Sequence, residues 1–458
     1  MSELPQGWSK AKLDDLLEYV TSGSRDWSKY YAEEGALFVR TQDINTNKLN
    51  GFNSIAKVNL PEKVEGKRTL IKKDDILLTI TGANVGKCAH IEGDVPEAYV
   101  SQSVALVRLA DKSLAKFVHK QLISPGDGSV QTKLEASAYG MGRPVLNLDN
   151  VREVSLNIAP HAEQARITQK LDELLVQVGT IKDRIDALPL LLKRFRQSVL
   201  AAAVAGRLTE DWRISNSLDK LGVKNWEVTN FGAICSEITV GYVGKMSDQY
   251  TETGIPFLRS QNVRPFRFSN TNLLHISQGF HDKIIKSKLS PGDLAIVRSG
   301  APGVTCVIPD DLEIANCSDL VIARPSERLN SQFGCLFMNS EVAQKNVAAN
   351  QVGVAQQHFN VGSMKKMPID LPPIDEQLEI VRRVNQLFAF SELLESKFQI
   401  AKARIDLLTQ SILAKAFRGE LVPQDPNDEP ASILLERIRT QRAAQPKAWR
   451  GSKSAATN

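Results

Sequence analysis

Cysteine is scarce: Cys88, Cys235, Cys306, Cys317 and Cys335 form an odd set with no Cys-x-x-Cys pair. That argues against a zinc ribbon and a disulfide scaffold and fits a reducing compartment, so a cytoplasmic location is expected. No apolar run reaches the roughly 18 residues of a transmembrane helix. The opening, MSELPQGWSK, lacks the basic-then-apolar layout of a signal peptide. There is no GxxxxGK[ST] loop, which excludes an ATP motor. The six histidines (His90, His119, His161, His275, His281, His358) show no metal-ligand spacing. Acidic residues are missing from Arg437 onward, where six basic ones fall. The net charge of +5 is therefore a property of the tail, since the preceding 436 residues hold 51 basic against 52 acidic side chains. Bulk charge does not name a partner for the body. What remains is ordinary: 42% hydrophobic and 24% charged residues over 458 positions, enough for roughly two to four units with real cores.

An internal repeat organises the chain. Residues 146–175 match 359–388 at a constant shift of 213, which superimposes Asn147 on Asn360, Pro160 on Pro373, and Glu163-Gln164 on Glu376-Gln377. The same shift carries Ser198–Ala201 onto Ser411–Ala414 and Gly206 onto Gly419. The front parts correspond at a shift near 218. Trp8 meets Trp226, Phe38–Gln42 meets Phe257–Gln261, and Asp75-Ile76-Leu77 meets Asp293-Leu294-Ala295. One unit of about 210 residues is duplicated, with loosely similar fronts and closely similar backs.

The backs are helical. Ile167, Leu171, Leu174, Val178, Ile181, Ile185, Leu188, Leu192, Phe195 and Val199 step by four and three without a break. Ile380, Val384, Leu387, Ser391, Leu394, Phe398, Ala401, Ile405, Leu408 and Ile412 repeat those steps. A sustained 3.5-residue spacing is a coiled-coil seam. Two matched seams in one chain favour pairing with each other over homodimerisation. Pro160 and Pro372-Pro373 bar extension backwards, Asp375 is a candidate N-cap, and Gly206 and Gly419 stand where left-handed C-terminal caps belong. Pro189 lies off the seam and predicts a kink. About 45 residues per helix correspond to roughly 65 Å. The fronts read as mixed α/β, with strands at Leu37–Arg40, Ile76–Ile80, Val104–Leu109, Phe257–Arg259, Leu294–Arg298 and Asp319–Ala323. Leu114–Ile123 and Gln332–Asn346 look helical.

The expected fold class is thus α+β: two mixed α/β domains related by duplication, joined by two long antiparallel coiled-coil helices. The predicted segments are a first front at 1–155, a helix at 156–208, a polar linker at 209–222, a second front at 223–370, a helix at 371–422, and a C-terminal helix and basic tail at 423–458, of which Gly451–Asn458 reads as disordered.

No catalytic constellation is present. Gly82-Ala83-Asn84-Val85-Gly86 follows a strand but lacks dinucleotide spacing and reads as a tight turn. Leu371-Pro372-Pro373-Ile374 differs from the Asn/Asp-Pro-Pro-Tyr/Phe loop with which an amino-methyltransferase holds a flipped base. The polar residues repeated in both fronts are the candidate site. Arg40-Thr41-Gln42-Asp43 and Arg259-Ser260-Gln261-Asn262 each follow a strand. Arg and Gln carry forked groups that match guanine and adenine edges, and Thr41 or Ser260 could reach phosphate. Further sets are Thr81 with Lys87 in the following loop, against Arg298 and Ser299, and then Tyr139, Met141 and Arg143 against Gln356, Gln357 and His358. The competing reading makes Arg40 and Arg259 structural, each paired with an acidic neighbour. On the first helix, Lys193, Arg194 and Arg196 cluster beside the seam, where nothing in a coiled coil needs them, and are a candidate partner interface.

These pieces resemble the specificity subunit of a type I restriction-modification system. The likeness rests on Leu4-Pro5-Gln6-Gly7-Trp8, the Arg40–Ile44 strand end, Gly292-Asp293-Leu294, and Pro372–Gln377 leading into a long helix. Leu192–Leu200 and Thr409–Leu421 look like the enterobacterial type IA branch. Ala159–Gln164 departs by having one proline of two, and Lys73-Asp74-Asp75 replaces Pro-Gly-Asp. The resemblance implies that each front is a target recognition domain reading one half of a split sequence in double-stranded DNA. It implies that the helices set the spacing and dock two modification subunits and, through them, two restriction subunits. Adenine methylation and ATP-dependent cleavage, with S-adenosylmethionine, ATP and Mg, would then belong to those partners, leaving this chain non-catalytic and free of cofactor and metal. A fused enzyme, which would need a cofactor loop, and a coiled-coil scaffold that never meets DNA are the alternatives.

Overall fold

The computed structural model describes residues 4–23, 27–45, 47–60, 67–126, 128–140, 142–216, 224–349 and 358–444. Two compact units divide the chain, Met1–Ile185 with Ala401–Asn458, and Asp186–Ile400.

In the first unit an antiparallel sheet runs in the order Leu17–Ser22, Val104–Leu109, Ile76–Thr79, Cys88–His90. Side chains alternate along a strand, and here both faces are covered. Ile76 and Leu78 enter a core with Leu13, Leu16, Val118, Leu434 and Leu435. Leu77 enters another with Leu37, Val39 and Val100. Burial on both faces explains the unbroken apolar run at Val104–Val107. Arg108 is tolerated inside because Asp75 takes its Nε at 2.7 Å and its Nη2 at 2.6 Å. The second sheet places Ala36–Val39 parallel to Ala98–Val100, with Val39 opposite Val100. Ser9–Lys12 pairs with Ser155–Ile158, the strand that enters the first long helix.

The second unit repeats this plan. Its antiparallel sheet runs Cys235–Val240, Leu320–Pro325, Leu294–Val297, Thr305–Val307. Ile255–Leu258 lies parallel to Ala315–Cys317, and Glu227–Asn230 pairs with Pro368–Leu371. Asp293 again sits beside an arginine, Arg324, at 3.6 Å. The repeated Asp therefore anchors a strand start: its Oδ2 also accepts the Ser290 N–H at 2.9 Å, as Asp75 accepts that of Lys72 at 2.7 Å.

The long helices are His161–Val204 and Ile374–Phe417. The first is continuous through Pro189. Asp375 stands inside the first turn of the second helix, one residue past its start at Ile374, so the expected N-cap role does not hold. Gly206 and Gly419 have φ of 77° and 73°, the left-handed geometry expected at the two C-terminal ends. In the second unit Arg196 bonds Glu395 at 3.0 Å and Arg383 bonds the Leu208 carbonyl at 2.9 Å, so the partners run antiparallel. The seam is buried at Ile167 and Leu171 in the first unit and at Ile380 and Val384 in the second. Midway it opens: Ile181 is 47% exposed and Leu408 48%. Both are seam positions, and a pair of helices with no third partner leaves part of its apolar stripe in contact with water.

The stretch read as a polar linker is structured over its first half. Glu210–Asn216 is a helix, and Arg213 is buried within it. A charged sequence is misread as solvated when one of its charges has a buried partner, here Glu376 at 2.5 Å. Residues 217–223 and the basic tail from 445 lie outside the described residues.

Candidate functional site

In the first unit Arg40 precedes a 3-10 turn, Thr41–Asp43. Asp43 is buried, and its Oδ2 accepts the Arg40 backbone N–H at 2.9 Å and its Nε at 3.2 Å. Burial opposes the Arg40 charge, and the Asp43 carboxylate more than offsets it, so the guanidinium pKa is raised. In the second unit Arg259 precedes the equivalent turn, Ser260–Asn262. Asn262 is fully buried, takes the Arg259 N–H at 3.0 Å, and donates to the Ser269 and Thr271 carbonyls at 3.0 and 3.2 Å. Asp43 and Asn262 therefore do not face a ligand. Their polar groups hold the turn from within, and Asp43 is the acidic partner that the structural reading of Arg40 requires.

Three separate segments meet around Arg40. The Thr41 carbonyl accepts from Asn84 Nδ2 at 3.1 Å, and Asn84 Oδ1 accepts from Lys87 Nζ at 3.2 Å. Gly82 donates its N–H to the Pro144 carbonyl at 2.9 Å, and Tyr139 exchanges backbone bonds with Val145. The turn at 40–43, the loop at 81–87 and the loop at 139–145 thus form one surface. Gln42, Tyr139 and Arg143 are exposed on it, while Thr41, Thr81 and Lys87 are half-buried. Met141 lies outside the described residues. Gly86 has φ of 85°, and a Cβ there would stand 2.7 Å from Glu135 Cγ. A carboxylate-bearing side chain covers this glycine loop, which makes it a turn and a poor phosphate cradle.

The second unit assembles the same three segments. The Ser318 N–H bonds the Leu258 carbonyl at 3.0 Å, which sets Asp319 beside the Arg259 turn. Ser260 and Gln261 are exposed, and Gln261 Nε2 and Arg259 Nη2 both reach the Asn272 carbonyl, at 3.4 and 3.2 Å. Arg298 Nη1 lies 3.4 Å from Asp319 Oδ1, Ser299 Oγ donates to Asp319 Oδ2 at 2.5 Å, and Ser299 Oγ lies 3.0 Å from His358 Nδ1. Gln356 and Gln357 lie outside the described residues. In a hydrolytic triad the imidazole stands between acid and serine. Here the serine stands in the middle and gives its proton to the acid, so this arrangement fixes side chains and activates no nucleophile.

Sequence reasoning overlooked Asn84, Gln102 and Asp319. A signal for the last two exists in the repeat: Val100-Ser101 and Cys317-Ser318 end the two parallel strands, and Gln102 and Asp319 follow them. On the first long helix Lys193 and Arg194 are exposed. Arg196 is engaged in the ion pair with Glu395, so the coiled coil does use it. Exposed apolar side chains of the same unit include Leu190 and Leu191 on the same helix and Phe390 and Leu393 on the other.

Among the described residues no group of three or more His, Cys, Asp or Glu side chains is arranged to hold a metal ion. No described helix is long and apolar enough to cross a membrane. All five cysteines are free thiols, and burial pushes Cys235 and Cys306 up to about 12, far from thiolate chemistry at neutral pH.

The pattern of the type I restriction modification DNA specificity domain matches residues 5–190 and 224–401. The chain is 31% identical over 471 aligned residues to the type I restriction enzyme EcoKI specificity subunit of Escherichia coli K12, covering 96% of this chain and 97% of that one. It is 29% identical to the StySPI specificity subunit of Salmonella potsdam, covering 96% of each. Among solved structures, a chain from a study of complex assembly and conformational transition of the type I R-M system superimposes with a TM-score of 0.69. Its identity is 19%, and 92% of this chain and 100% of that one are covered. The HsdS subunit of Thermoanaerobacter tengcongensis gives a TM-score of 0.59 at 19% identity, covering 92% of this chain and 99% of that one.

Proposed function

The chain belongs to the family of type I restriction-modification specificity subunits, and on that premise we propose that its two units read the two halves of a split target in double-stranded DNA. The observation that carries this reading is the duplicated surface. Each unit brings an Arg-x-Gln turn, a loop after the central strand and a loop before the long helix onto one face, although these segments are distant in sequence. Exposed Gln42, Tyr139 and Arg143 in the first unit, and Ser260 and Gln261 in the second, are the side chains available to base edges or phosphates. Arg40 and Arg259 shape the turns and carry positive charge to the same place.

The long helices then set the distance between half-sites. Lys193 and Arg194, with the exposed Leu190 and Leu191 of the same helix, offer a mixed basic and apolar surface to two modification subunits, which in turn bring two restriction subunits. The chain itself is non-catalytic in this reading. S-adenosylmethionine, ATP and Mg are held by the partners, which carry out adenine methylation and ATP-driven cleavage in the cytoplasm. Exchanging residues 1–155 for the corresponding front of a related subunit tests the independence of the readers. One half of the methylated motif should change and the other stay; an exchange that altered both halves would overturn the reading.

A further inference from the structure

We propose that Asp319 is a specificity-determining residue of the second unit, accepting a hydrogen bond from the exocyclic amino group of a base in the major groove. The proposal rests on the reading of this chain as a DNA specificity subunit.

Chemistry narrows what Asp319 can touch. An ionised carboxylate only accepts hydrogen bonds, and it repels phosphate. On a DNA-facing surface its partner must be a donor, and the major-groove donors are the amino groups at cytosine N4 and adenine N6. Geometry shows that Asp319 is not one more internal brace. Asp43 and Asn262 are buried within their turns, whereas the Asp319 side chain is 43% exposed. Its backbone φ is +51°, a left-handed conformation uncommon away from glycine and one that collects at functional positions.

The carboxylate is also aimed. Ser299 Oγ holds Oδ2 and is itself braced by His358 Nδ1, while Arg298 Nη1 approaches Oδ1. Among the described residues each oxygen takes one bond, which leaves a second acceptor position on each for an incoming amino group. Among the described residues the buried Arg298 Nε has no hydrogen-bond partner, and the guanidinium reaches Asp319 through Nη1. Arg298, Ser299 and His358 are accordingly positioning residues. The first unit has exposed Gln102 at the corresponding place. An amide both donates and accepts, so the two readers differ chemically at this one position.

The test uses the full chain assembled with its modification subunits. The target is read first from the methylated motif of a host carrying the complex. Binding is then titrated on duplexes in which one amino group at a time is deleted from the second half-site, with 2-pyrimidinone for cytosine or purine for adenine. One deletion should weaken wild type about ten- to hundredfold and should weaken Asp319→Gly less than about threefold. The analogue that produces the loss identifies the base. Asp319→Gly removes both acceptor oxygens and adopts the left-handed backbone without strain. If it fails to assemble, Ser299→Ala removes the brace and leaves the carboxylate, and should show a smaller loss at the same single position. The proposal is overturned if every deletion costs the variant as much as wild type, or if Asp319→Gly binds the intact target like wild type. A wild-type complex that discriminated no base pair at all would instead overturn the specificity-subunit reading.

Discussion

Replacing Glu376 by Gln should damage the second unit far more than Glu163→Gln damages the first, although the two are the same residue of the repeat. Both carboxylates are buried at the start of a long helix and accept a tryptophan indole N–H, Trp8 to Glu163 at 3.0 Å and Trp226 to Glu376 at 2.9 Å. Of the two, Glu376 alone has a charged partner in contact among the described residues: its Oε1 takes Arg213 Nη1 at 2.5 Å and Thr209 Oγ1 at 2.7 Å. Glu163 Oε1 has no hydrogen-bond partner among the described residues, and burial pushes this carboxyl upward. Glutamine can keep the indole bond in either place. At 376 it turns an amide where Arg213 needs a carboxylate, and removing one partner of a buried ion pair costs about 3–5 kcal/mol. At 163 it removes a poorly satisfied buried charge, so the change should stay within about 1 kcal/mol, of either sign. The gap is about 3 kcal/mol, roughly two powers of ten in the local opening equilibrium. Because two units need not melt together, the assay is hydrogen exchange resolved by segment. Glu376→Gln should accelerate exchange in Glu227–Asn230 and Pro368–Leu371, and Glu163→Gln should leave Ser9–Lys12 and Ser155–Ile158 nearly unchanged. Equal acceleration in the two pairs would refute the reasoning.

Asp43→Ala and Asn262→Ala should each lower stability by about 1–2 kcal/mol through loss of a cap, measured by denaturant titration, and leave the methylated motif intact. An altered motif in either variant would return that side chain to the DNA surface. Reversing the charge of Lys193 and Arg194 together should reduce co-purification with the modification subunits. Arg196→Glu should additionally break the exposed ion pair with Glu395, a loss of at most about 1 kcal/mol, so equal co-purification by both variants and wild type would remove the basic face from the docking surface. Burial pushes His119 down to about 4, which makes the unfolded chain the better proton acceptor between that value and 6.5. The stability that His119 contributes is therefore complete above pH 6.5 and lost as pH falls toward 4. Urea midpoints at pH 7 and 4.5 should diverge less in His119→Gln than in wild type, and identical divergence would show that His119 is not the titrating group.

The repeat and the two long helices could be read from the chain because their signals are carried by residues a few positions apart. A stripe every 3.5 residues and a proline or glycine at each end need no knowledge of the rest of the molecule. The strand starts at Asp75 and Asp293 and the Arg-x-Gln turns were legible for the same reason. Other features depended on segments far apart in the sequence. Whether Asp43 points inward or Asp319 outward depends on strands such as Ala36–Val39 and Ala98–Val100, or Ile255–Leu258 and Ala315–Cys317, lying side by side. Whether Glu376 is satisfied depends on Arg213, 163 residues earlier in the chain. The amino-acid sequence by itself thus determined the duplication, the two long helices and the position of each candidate turn. Only the tertiary structure decided which polar side chains of those turns brace the fold and which face water, because burial is set by neighbours that no local pattern encodes.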